Sequence, residues 1–506
     1  MKSSVEISKG ESSEVGRLLK DIKSKKNDYW VKQKEERALK LFHAAAEGVP
    51  AYKKFLKAHK IDHTKIKTFK DFQSVPFINK KNYIRPNKLK DLNWMGNLDK
   101  PTVLTSTSGS TGESVYFSRN SKIDWQSSVI HELFLKTISA NHKEPTLIII
   151  CFGMGVWIGG LITYQAFELA ASRGYPLSLI TPGINKEEIF KALKKLAPEY
   201  KQVILAGYPP FLKDIIDEAP HRGIKIKDLN VKFLFAAEAF TEKFRDYMLK
   251  QTKNADALTS NMNIYGSADI GTMAFETPLS ILVRKIAMKK PAVFESLFGK
   301  ISKTPTLAQY DPEFITFEAP DGEIVLTGNS SMPLVRYSIG DHGGVFSFKE
   351  LHEKLALHKV YLHKEAEKAG ITDKLFQLPF VFVFERMDFS TTLYGLQIYP
   401  ETVREVLLDA PYNQFCTGKI TLETKFDSKQ DQYIEINVEL QRSQQETDIL
   451  KSQLANDIIK NLREKNSEFR ELSNFLGERT APRIVFWPFE DPIHFKPGIK
   501  QTWVKK

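Results

Sequence analysis

Cysteine is scarce in this sequence: the 506 residues contain only Cys151 and Cys416. Two distant cysteines exclude a disulfide framework and a cysteine-ligated zinc site. The first thirty residues lack the apolar core that a secretory signal needs. We therefore predict a protein of the reducing cytoplasm.

Long uncharged stretches are also scarce, and residues 146–167 need weighing as a membrane span because they carry no charge and are long enough to cross a bilayer. Their internal pattern favours another interpretation. An apolar run at 147–150 is followed by Gly153 and Gly155 and then by an apolar helix pattern after Trp157. This pattern predicts a strand, a turn and a helix of an α/β sheet, so we expect no membrane span.

Basic residues exceed acidic ones, with 73 Lys and Arg against 61 Asp and Glu and a formal charge of +12. A basic balance favours anionic partners such as nucleotides, coenzyme A, nucleic acid or membrane surfaces. No RNA-recognition or zinc-finger signature accompanies the basic residues, so nucleic acid is not expected. With 42% hydrophobic residues the chain is also unlike disordered proteins.

The order of apolar patterns predicts the α/β class with two domains. Residues 1–100 read as a helical segment, and in residues 101–385 strand-like runs alternate with amphipathic helices. That alternation predicts a large, partly parallel sheet with helices on both faces, and short strands after residue 321 predict a more β-rich part. A helical insertion is expected at about 350–370, and residues 388–506 read as a smaller α+β domain.

The sharpest motif is the loop TSTSGSTG at residues 105–112, which has small hydroxyl residues around two glycines. Such a loop can present N–H groups and hydroxyls to phosphate oxygens, because glycine lets the backbone approach an anion closely. The plain alternative is a flexible linker, but apolar residues flank the loop on both sides. No Gly-Lys-Ser/Thr follows, which argues against a Walker loop.

Three weaker motifs follow in the chain, and each has an ordinary alternative. In NIYGSADIG an aromatic, Tyr265, precedes an acid, Asp269, that could hold Mg²⁺, although an ordinary strand-end turn is the better explanation of this motif by itself. In LVRYSIGD the acid Asp341 could accept both hydroxyls of a ribose, or simply sit in a β-turn. Residues 385–400 contain Arg386, Asp388 and Gly395. The ordinary interpretation of this segment is a strand that leads into a helix.

Taken in order, these motifs resemble those of the adenylate-forming superfamily, and within it the phenylacetate-CoA ligase-like branch. SGSTG at 108–112 looks like the family's phosphate loop Ser-Gly-Thr-Thr-Gly, and YGSAD at 265–269 resembles its Tyr-Gly-x-x-Glu. PLVRYSIGD at 333–341 is similar to Pro-Leu-Ile-Arg-Tyr-Arg-Thr-Gly-Asp. The hinge motif keeps register with residues 386–400, and VPAYKKF and VPFINKK resemble the branch's N-terminal segment. The resemblance covers nearly the whole chain.

The resemblance implies a role for each matched residue. Arg386 and Lys500 would be catalytic, Asp388 the hinge of a mobile C-terminal domain, Asp269 the magnesium ligand and Gly395 part of the thiol path. The acid pocket would draw on Trp157, Ala236, Ala237 and Glu238. The ATP and AMP site would comprise Thr105, Ser106, Ser108, Gly109, Ser110, Thr111, Gly112, Tyr265, Gly266, Ser267, Asp341 and Arg386.

The sequence departs from the family pattern at three places. Glu113 and Ser114 follow the phosphate loop where many relatives have Lys and Pro, so one cationic phosphate contact is missing there. Asp269 is one methylene shorter than the usual Glu, which favours binding of magnesium through water. Glu385 stands where the hinge motif has glycine. For the C-terminal lysine, Lys500 competes with Lys496, Lys505 and Lys506.

The function expected from the resemblance is ATP-dependent activation of an aryl or other hydrophobic carboxylic acid, followed by transfer to coenzyme A. ATP, Mg²⁺ and coenzyme A would be its cofactors, and AMP and pyrophosphate its products. Two alternatives stay open: transfer to a carrier protein or an amine, and a nucleotide-binding regulatory protein without catalysis. A homodimer also stays open.

Overall fold

The computed structural model describes residues 9–100, 102–106, 115–138, 144–155, 157–253, 256–300, 304–386, 390–492, 494–495 and 504. Within these ranges a large mixed sheet is covered by helices and followed by a smaller sheet domain. The predicted α/β class is therefore confirmed. In the same ranges no helix is both long and apolar enough to cross a membrane.

The described part of the N-terminal segment up to residue 100 is helical. Its buried side chains, among them Phe42, Tyr52 and Phe72, form one apolar cluster with the sheet residues Phe317 and Tyr337. A π-helical turn at Lys80–Ile84 is capped by the Asn79 side chain. The α-helices of this segment are α1 (Lys9–Ser24), α2 (Asn27–Gly48), α3 (Pro50–Ala58), α4 (Phe69–Phe72) and α5 (Leu89–Leu92).

A separate antiparallel hairpin comes next, formed by β1 (Val103–Ser106) and β2 (Tyr116–Arg119). Thr105 pairs with Phe117 and Ser106 with Tyr116, and residues 107–114 lie between the two strands in the sequence. Those eight residues, which contain most of the predicted phosphate loop, lie outside the described part of the chain.

The large sheet has the strand order β10-β11-β12-β13-β9-β8-β7-β6-β5-β3-β4 in the described residues. Strands β4, β3, β5, β6 and β7 run parallel, and the remaining neighbours pair antiparallel. Its strands are β3 (Thr146–Cys151), β4 (Leu177–Ile180), β5 (Gln202–Gly207), β6 (Val231–Ala236), β7 (Asn261–Ser267), β8 (Gly271–Phe275), β9 (Thr306–Gln309), β10 (Ile315–Glu318), β11 (Glu323–Gly328), β12 (Leu334–Phe346) and β13 (Phe380–Arg386).

Helices cover both faces of this sheet, and strand β3 shows why its sequence is apolar throughout. Ile148 and Ile150 face one helical layer, whereas Leu147, Ile149 and Cys151 face the other. The helices are α6 (Ser121–Ile138), α7 (Ile158–Ser172), α8 (Lys186–Lys195), α9 (Pro209–Glu218), α10 (Glu242–Lys250), α11 (Pro278–Lys289), α12 (Pro291–Phe298), α13 (Phe348–Leu357) and α14 (Leu362–Lys368). Residues 146–167 thus form strand β3 and most of helix α7, and the strand-turn-helix prediction is confirmed.

The residues after 390 form the smaller sheet domain. Its apolar residues continue the core that covers one face of the large sheet, because Tyr394 and Leu396 cluster with Phe211 and Leu212 of α9. Its elements are β14 (Thr391–Leu393), β15 (Leu396–Ile398), α15 (Pro400–Leu408), α16 (Tyr412–Phe415), β16 (Cys416–Phe426), β17 (Gln432–Leu440), α17 (Asp448–Lys465), α18 (Ser467–Leu476) and β18 (Arg483–Trp487).

One detail of the sheet differs from the sequence prediction. Short strands were predicted after residue 321, but residues 334–346 form the single long strand β12, which belongs to the large sheet. Glycines make this possible: a Cβ at Gly343 would overlap the carbonyl oxygen of Phe382 on the neighbouring strand. The glycine run keeps the strand continuous where its backbone approaches β13 closely.

Candidate active site

Tyr265 and Asp341 join two of the sequence motifs. The Tyr265 hydroxyl donates a hydrogen bond to Oδ2 of Asp341 at 2.5 Å. Tyr265 lies near the end of β7, and Asp341 is buried in β12, where its register partner on β13 is Arg386. Gly266 allows a close turn, because a Cβ there would lie 3.0 Å from the carbonyl oxygen of Gly271. The Tyr265 ring and the hydrogen-bonded Asp341 carboxylate thus lie together at one edge of the sheet.

The hairpin reaches the same region through Thr105. Its hydroxyl donates to the carbonyl oxygen of Ala268 at 3.1 Å, in the turn that follows Tyr265 and Gly266. In that turn the Asp269 N–H donates to the Ser267 hydroxyl at 3.2 Å. The hairpin that carries the predicted phosphate loop is therefore fixed beside the second motif. Of the predicted site residues, Ser108, Gly109, Ser110, Thr111, Gly112, Asp388 and Lys500 lie outside the described residues, as does the side chain of Arg386.

Asp269, the predicted magnesium ligand, already has two partners. The Tyr337 hydroxyl donates to its Oδ2 at 2.7 Å, and Nζ of Lys80 lies 3.2 Å from the same oxygen. The Asp269 side chain is 2% exposed, whereas that of Lys80 is 32% exposed. Lys80 therefore covers the carboxylate on its open side and balances its charge.

Gly395 of the smaller domain packs onto the large sheet at the carboxyl ends of β5 and β6. A Cβ at Gly395 would lie 2.7 Å from the ring of Tyr208 and 3.4 Å from Cβ of Ala237. Its φ of +83° is also one that side chains disfavour. Only glycine therefore fits this contact without strain. Ligands of α/β sheets bind at this edge of a sheet.

Glu238 bonds to the smaller domain rather than standing open in a pocket. Its carboxylate accepts hydrogen bonds from the Gly395 N–H and from Nε2 of Gln432, the latter at 2.8 Å. Burial between the domains raises the pKa of the Glu238 carboxyl to about 7, although both hydrogen bonds favour the charged form. The carboxylate is thus a contact between the two domains that titrates near neutral pH.

Tyr208 connects Gly395 with the predicted acid pocket. A Cβ at Gly153 would lie 2.9 Å from the Trp157 ring and 3.7 Å from the Tyr208 hydroxyl, so all three residues are close neighbours. Phe152 packs edge-to-face on Tyr208 with ring centroids 5.1 Å apart. Tyr208 thus neighbours both Gly153, against which Trp157 packs, and Gly395, against which Ala237 packs. Ala237 itself has a φ of +74°.

A network of ion pairs between the two domains lies farther along helix α9. Lys213 contacts Asp431 at 2.6 Å, and Asp214 contacts Arg479 at 2.8 Å. The Tyr394 hydroxyl donates to Asp214 at 3.2 Å, and Arg479 also reaches Asp431 at 3.0 Å. Lys213 and Asp214 are buried, so these charges are held in fixed partnerships.

The structure thus joins Thr105 to the turn after Tyr265, Tyr265 to Asp341, and Gly395 to Ala237 and Glu238. It adds four residues that were not among the predicted site residues. The missed residues are Lys80, Tyr208, Tyr337 and Gln432. Two of them had a usable signal: Tyr337 stands within the LVRYSIGD motif, and Tyr208 directly follows a buried strand. Lys80 stands in the VPFINKK segment that resembles the family's N-terminal segment, but that match assigned it no role. Gln432 reaches the site from the smaller domain, and no local pattern marks it.

No protein-family model and no curated protein matches this sequence. Solved structures do match it. 2-Hydroxyisobutyryl-CoA ligase in complex with 2-HIB-AMP and CoA, in the thioesterification state, is 14% identical with a TM-score of 0.61, covering 94% of this chain and 89% of that one. The same ligase in the postadenylation state with 2-HIB-AMP gives a TM-score of 0.50 at 14% identity, covering 93% and 87%. The chain therefore shares its fold with this CoA ligase, which agrees with the fold that the resemblance implied.

Proposed function

We propose that this protein is an ATP-dependent carboxylic acid ligase that forms an acyl-adenylate and then transfers the acyl group to coenzyme A. The observation that carries the proposal is the contact of Gly395 with Tyr208 and Glu238, beside the strand-end site that holds Asp341 and Tyr265. The smaller domain places Gly395, a residue without a side chain, at this edge of the sheet. A protein that only binds a nucleotide does not need this contact between two domains, whereas a ligase that carries out two reaction steps at one site does.

In the first step a carboxylate oxygen of the acid attacks the α-phosphorus of ATP. The new oxygen–phosphorus bond forms as the bond to the bridging oxygen breaks, and pyrophosphate leaves with the electron pair. Asp341 would accept the ribose hydroxyls and Tyr265 would stack on the base, while residues 105–112, Gly266, Ser267 and Arg386 would surround the phosphates. No nucleophilic side chain is needed, since the step depends on positioning and charge stabilisation.

In the second step the thiolate sulfur of coenzyme A attacks the acyl carbon, and AMP leaves. Gly395 would border the passage of the slim pantetheine arm, because its position admits no side chain. The higher TM-score with the thioesterification state than with the postadenylation state of the matched ligase supports this proposal. In the thioesterification state that ligase is in complex with both 2-HIB-AMP and CoA. Asp388 would be the hinge and Lys500 the catalytic lysine of the first step.

The acid we propose is aromatic or otherwise hydrophobic, as in the phenylacetate-CoA ligase-like branch. Trp157, Phe152 and Tyr208 group together at the predicted acid pocket, and such side chains favour apolar ligands. A cytoplasmic location is part of the same proposal, because Cys151 and Cys416 are both buried free thiols.

The test is pyrophosphate exchange into ATP by the full chain with a panel of aryl and aliphatic acids, followed by acyl transfer to coenzyme A, a carrier protein or an amine. Acid-dependent exchange and thioester formation with coenzyme A would support the proposal. Transfer only to a carrier protein or an amine would replace the second step. Folded protein that binds ATP without exchange over the whole panel would favour a regulatory nucleotide-binding protein.

A further inference from the structure

A groove opens at the amino ends of the parallel strands β5 and β6, on the edge of the large sheet opposite the candidate site. Lys201 directly precedes β5, Asn230 directly precedes β6, and both residues line the groove. The contact of Gly395 with Tyr208 and Ala237 lies at the carboxyl ends of the same two strands. Because β5 has six residues, the two edges are roughly 20 Å apart. The groove is therefore separate from the candidate active site.

The groove is concave and has an apolar floor. Its volume is about 710 Å³, within the range of pockets that hold small molecules. Among its lining residues, Leu193 and Ile224 are buried, and Tyr200 and Leu229 are partly buried against the core of this face of the sheet. An occupant with a planar or apolar part would cover these side chains and remove them from water.

Four exposed lysines form the rim of the groove, and one acid, Asp228, accompanies them. None of the four ammonium groups forms an ion pair or donates a hydrogen bond to another residue in the described ranges. A concave surface with charges mostly of one sign concentrates the electrostatic potential and attracts anions. The four are Lys194, Lys201, Lys225 and Lys253.

Ordinary surface lysines often have an acidic neighbour, and helix α8 shows the contrast. Its Lys191 contacts Glu188 at 2.7 Å, whereas Lys194, which lines the groove, has no acidic partner among the described residues. The C-terminal end of α8 favours a cation at Lys194, but Lys201 and Lys225 lie outside α-helices. Repulsion among unpaired ammonium groups has a cost, and a bound anion would remove it.

The charge of the groove favours an anion with more than one phosphate. Four positive charges and one negative charge leave a net charge of +3. A nucleoside diphosphate carries roughly three negative charges at neutral pH in a short span, whereas a carboxylate carries one. A membrane is flat and a nucleic acid duplex is long, so neither would fill a concave groove of this volume.

We propose that this groove binds a nucleoside polyphosphate, with the phosphates among the four rim lysines and the nucleoside on the apolar floor. Lysine binds phosphate as a compact point charge with three donors. The Tyr200 ring, which lines the groove, offers a surface on which a base can stack. This second site goes beyond the proposed function and does not depend on it.

The first experiment locates the occupant by lysine protection. The full chain is acetylated with an N-hydroxysuccinimide ester, with and without saturating ADP, and each lysine is read by mass spectrometry. The four rim lysines should lose most of their acetylation when ADP is present. Lys195 and Lys227, which are exposed neighbours that do not line the groove, should keep theirs. No protection of the rim lysines, or equal protection of Lys195 and Lys227, would overturn the proposal.

The second experiment measures ADP binding by calorimetry in Asp341→Ala, which weakens nucleotide binding at the candidate active site. Adding Lys194→Ala and Lys225→Ala should raise the Kd about five- to twentyfold, the effect of losing two exposed charge contacts. The matched control adds Lys195→Ala and Lys227→Ala, which removes the same charge from the same helix and loop. An equal rise in both would indicate diffuse attraction to a basic surface and would contradict a site in the groove.

Other anionic partners are tested in the same protection assay with phosphatidylserine vesicles and with a DNA duplex. Protection by either of these but not by ADP would assign the surface to a membrane or to nucleic acid, and the proposal would be wrong. Pyrophosphate exchange is assayed alongside. Protection by ADP without exchange would support the groove site and count against the ligase, whereas exchange without protection would do the reverse.

Discussion

The hydroxyl of Tyr265 lies 2.5 Å from Oδ2 of Asp341, although 76 residues separate them in the chain. The contact holds the Asp341 carboxylate in one orientation at the edge of the large sheet. A fixed, buried acceptor is well suited to a pair of vicinal hydroxyls, because little ordering is needed when the ligand binds. Through this hydrogen bond the NIYGSADIG and LVRYSIGD motifs contribute to one candidate site.

Asp341→Ala should weaken use of ATP by about 1–3 kcal/mol, because the ribose hydroxyls would lose their acceptor in a buried place. Tyr265→Phe keeps the carboxylate and removes only the bond that orients it, so its effect should be smaller, about 0.5–1.5 kcal/mol. The measurement is KM for ATP in pyrophosphate exchange. Asp321→Asn, in an exposed turn, is the control. Unchanged ATP use in Asp341→Ala would show that the ribose lies elsewhere.

Gly395→Leu should spare adenylation and block thioester formation. A side chain there would meet Tyr208 and Ala237, which pushes the smaller domain away from the orientation observed here. Gly477→Leu is the matched control: it has a φ of +53° in the same domain, but no atom within 4 Å of an added Cβ. Both variants carry backbone strain, and only Gly395→Leu closes the proposed path. Equal loss of thioester formation in both would count against a path at Gly395.

The ion pair between Asp214 and Arg479 should also favour thioester formation, because it joins the two domains in the orientation observed. Asp214→Asn removes a buried charge that holds Arg479 and Tyr394 of the smaller domain. We expect thioester formation to slow about tenfold, or ~1.4 kcal/mol, with adenylation little changed. Glu218→Gln is the control, since Glu218 on the same helix pairs with Lys186 within the larger domain. Assays of each half-reaction test this, and an equal effect on both steps would contradict it.

Glu238 should make stability depend on pH. Its folded-state pKa of about 7 is above the ordinary value of 4.5, so the folded protein binds a proton more readily than the unfolded chain. The stabilisation from that proton is complete below pH 4.5 and is lost as the pH rises through 7. Glu238→Gln cannot ionise, so its Tm relative to wild type should increase between pH 5 and pH 8. A constant difference in Tm would show that Glu238 ionises with an ordinary pKa.

Local patterns predicted much of the fold because they report burial directly. The alternation of Ile148 and Ile149 between two helical layers requires an apolar run, and such a run indicates a strand covered on both faces. The same reasoning gave a wrong prediction for residues 334–346. In the sequence, glycines such as Gly343 indicate the end of a strand, whereas in the sheet they allow the backbones of two neighbouring strands to approach each other.

Tyr265 and Asp341 could be singled out from the sequence because each stands in its own short motif, and the structure brings their side chains together. The site was not predictable where the chemistry arises only on folding. Lys80 reaches Asp269 across 189 positions of the chain, and Gln432 reaches Glu238 from the other domain. Glu238 was predicted for the acid pocket, yet its carboxylate bonds to the smaller domain. Such pairings depend on how distant elements dock, which periodicity and motif spacing do not encode.

Lys500 is the residue that the family resemblance assigns to the first step. In the orientation observed, the smaller domain places Gly395 at Tyr208, and Val504 forms a β-bridge with Leu422. Adenylation would then require the domain to turn and bring a lysine to the α-phosphate. Lys500→Ala should therefore slow adenylation about 10²–10³-fold, the usual effect of removing one such electrostatic contact.

Thioester formation from supplied acyl-adenylate should survive in Lys500→Ala, because that step uses the face of the domain that carries Gly395. Lys506→Ala, which changes another lysine of the same chain end, is the control. The two half-reactions are measured separately, with exchange reporting the first and thioester release the second. Equal damage to both steps would argue against a domain that turns between two chemistries. No damage to either would transfer the role to Lys496 or Lys505, the remaining lysines near the end of the chain.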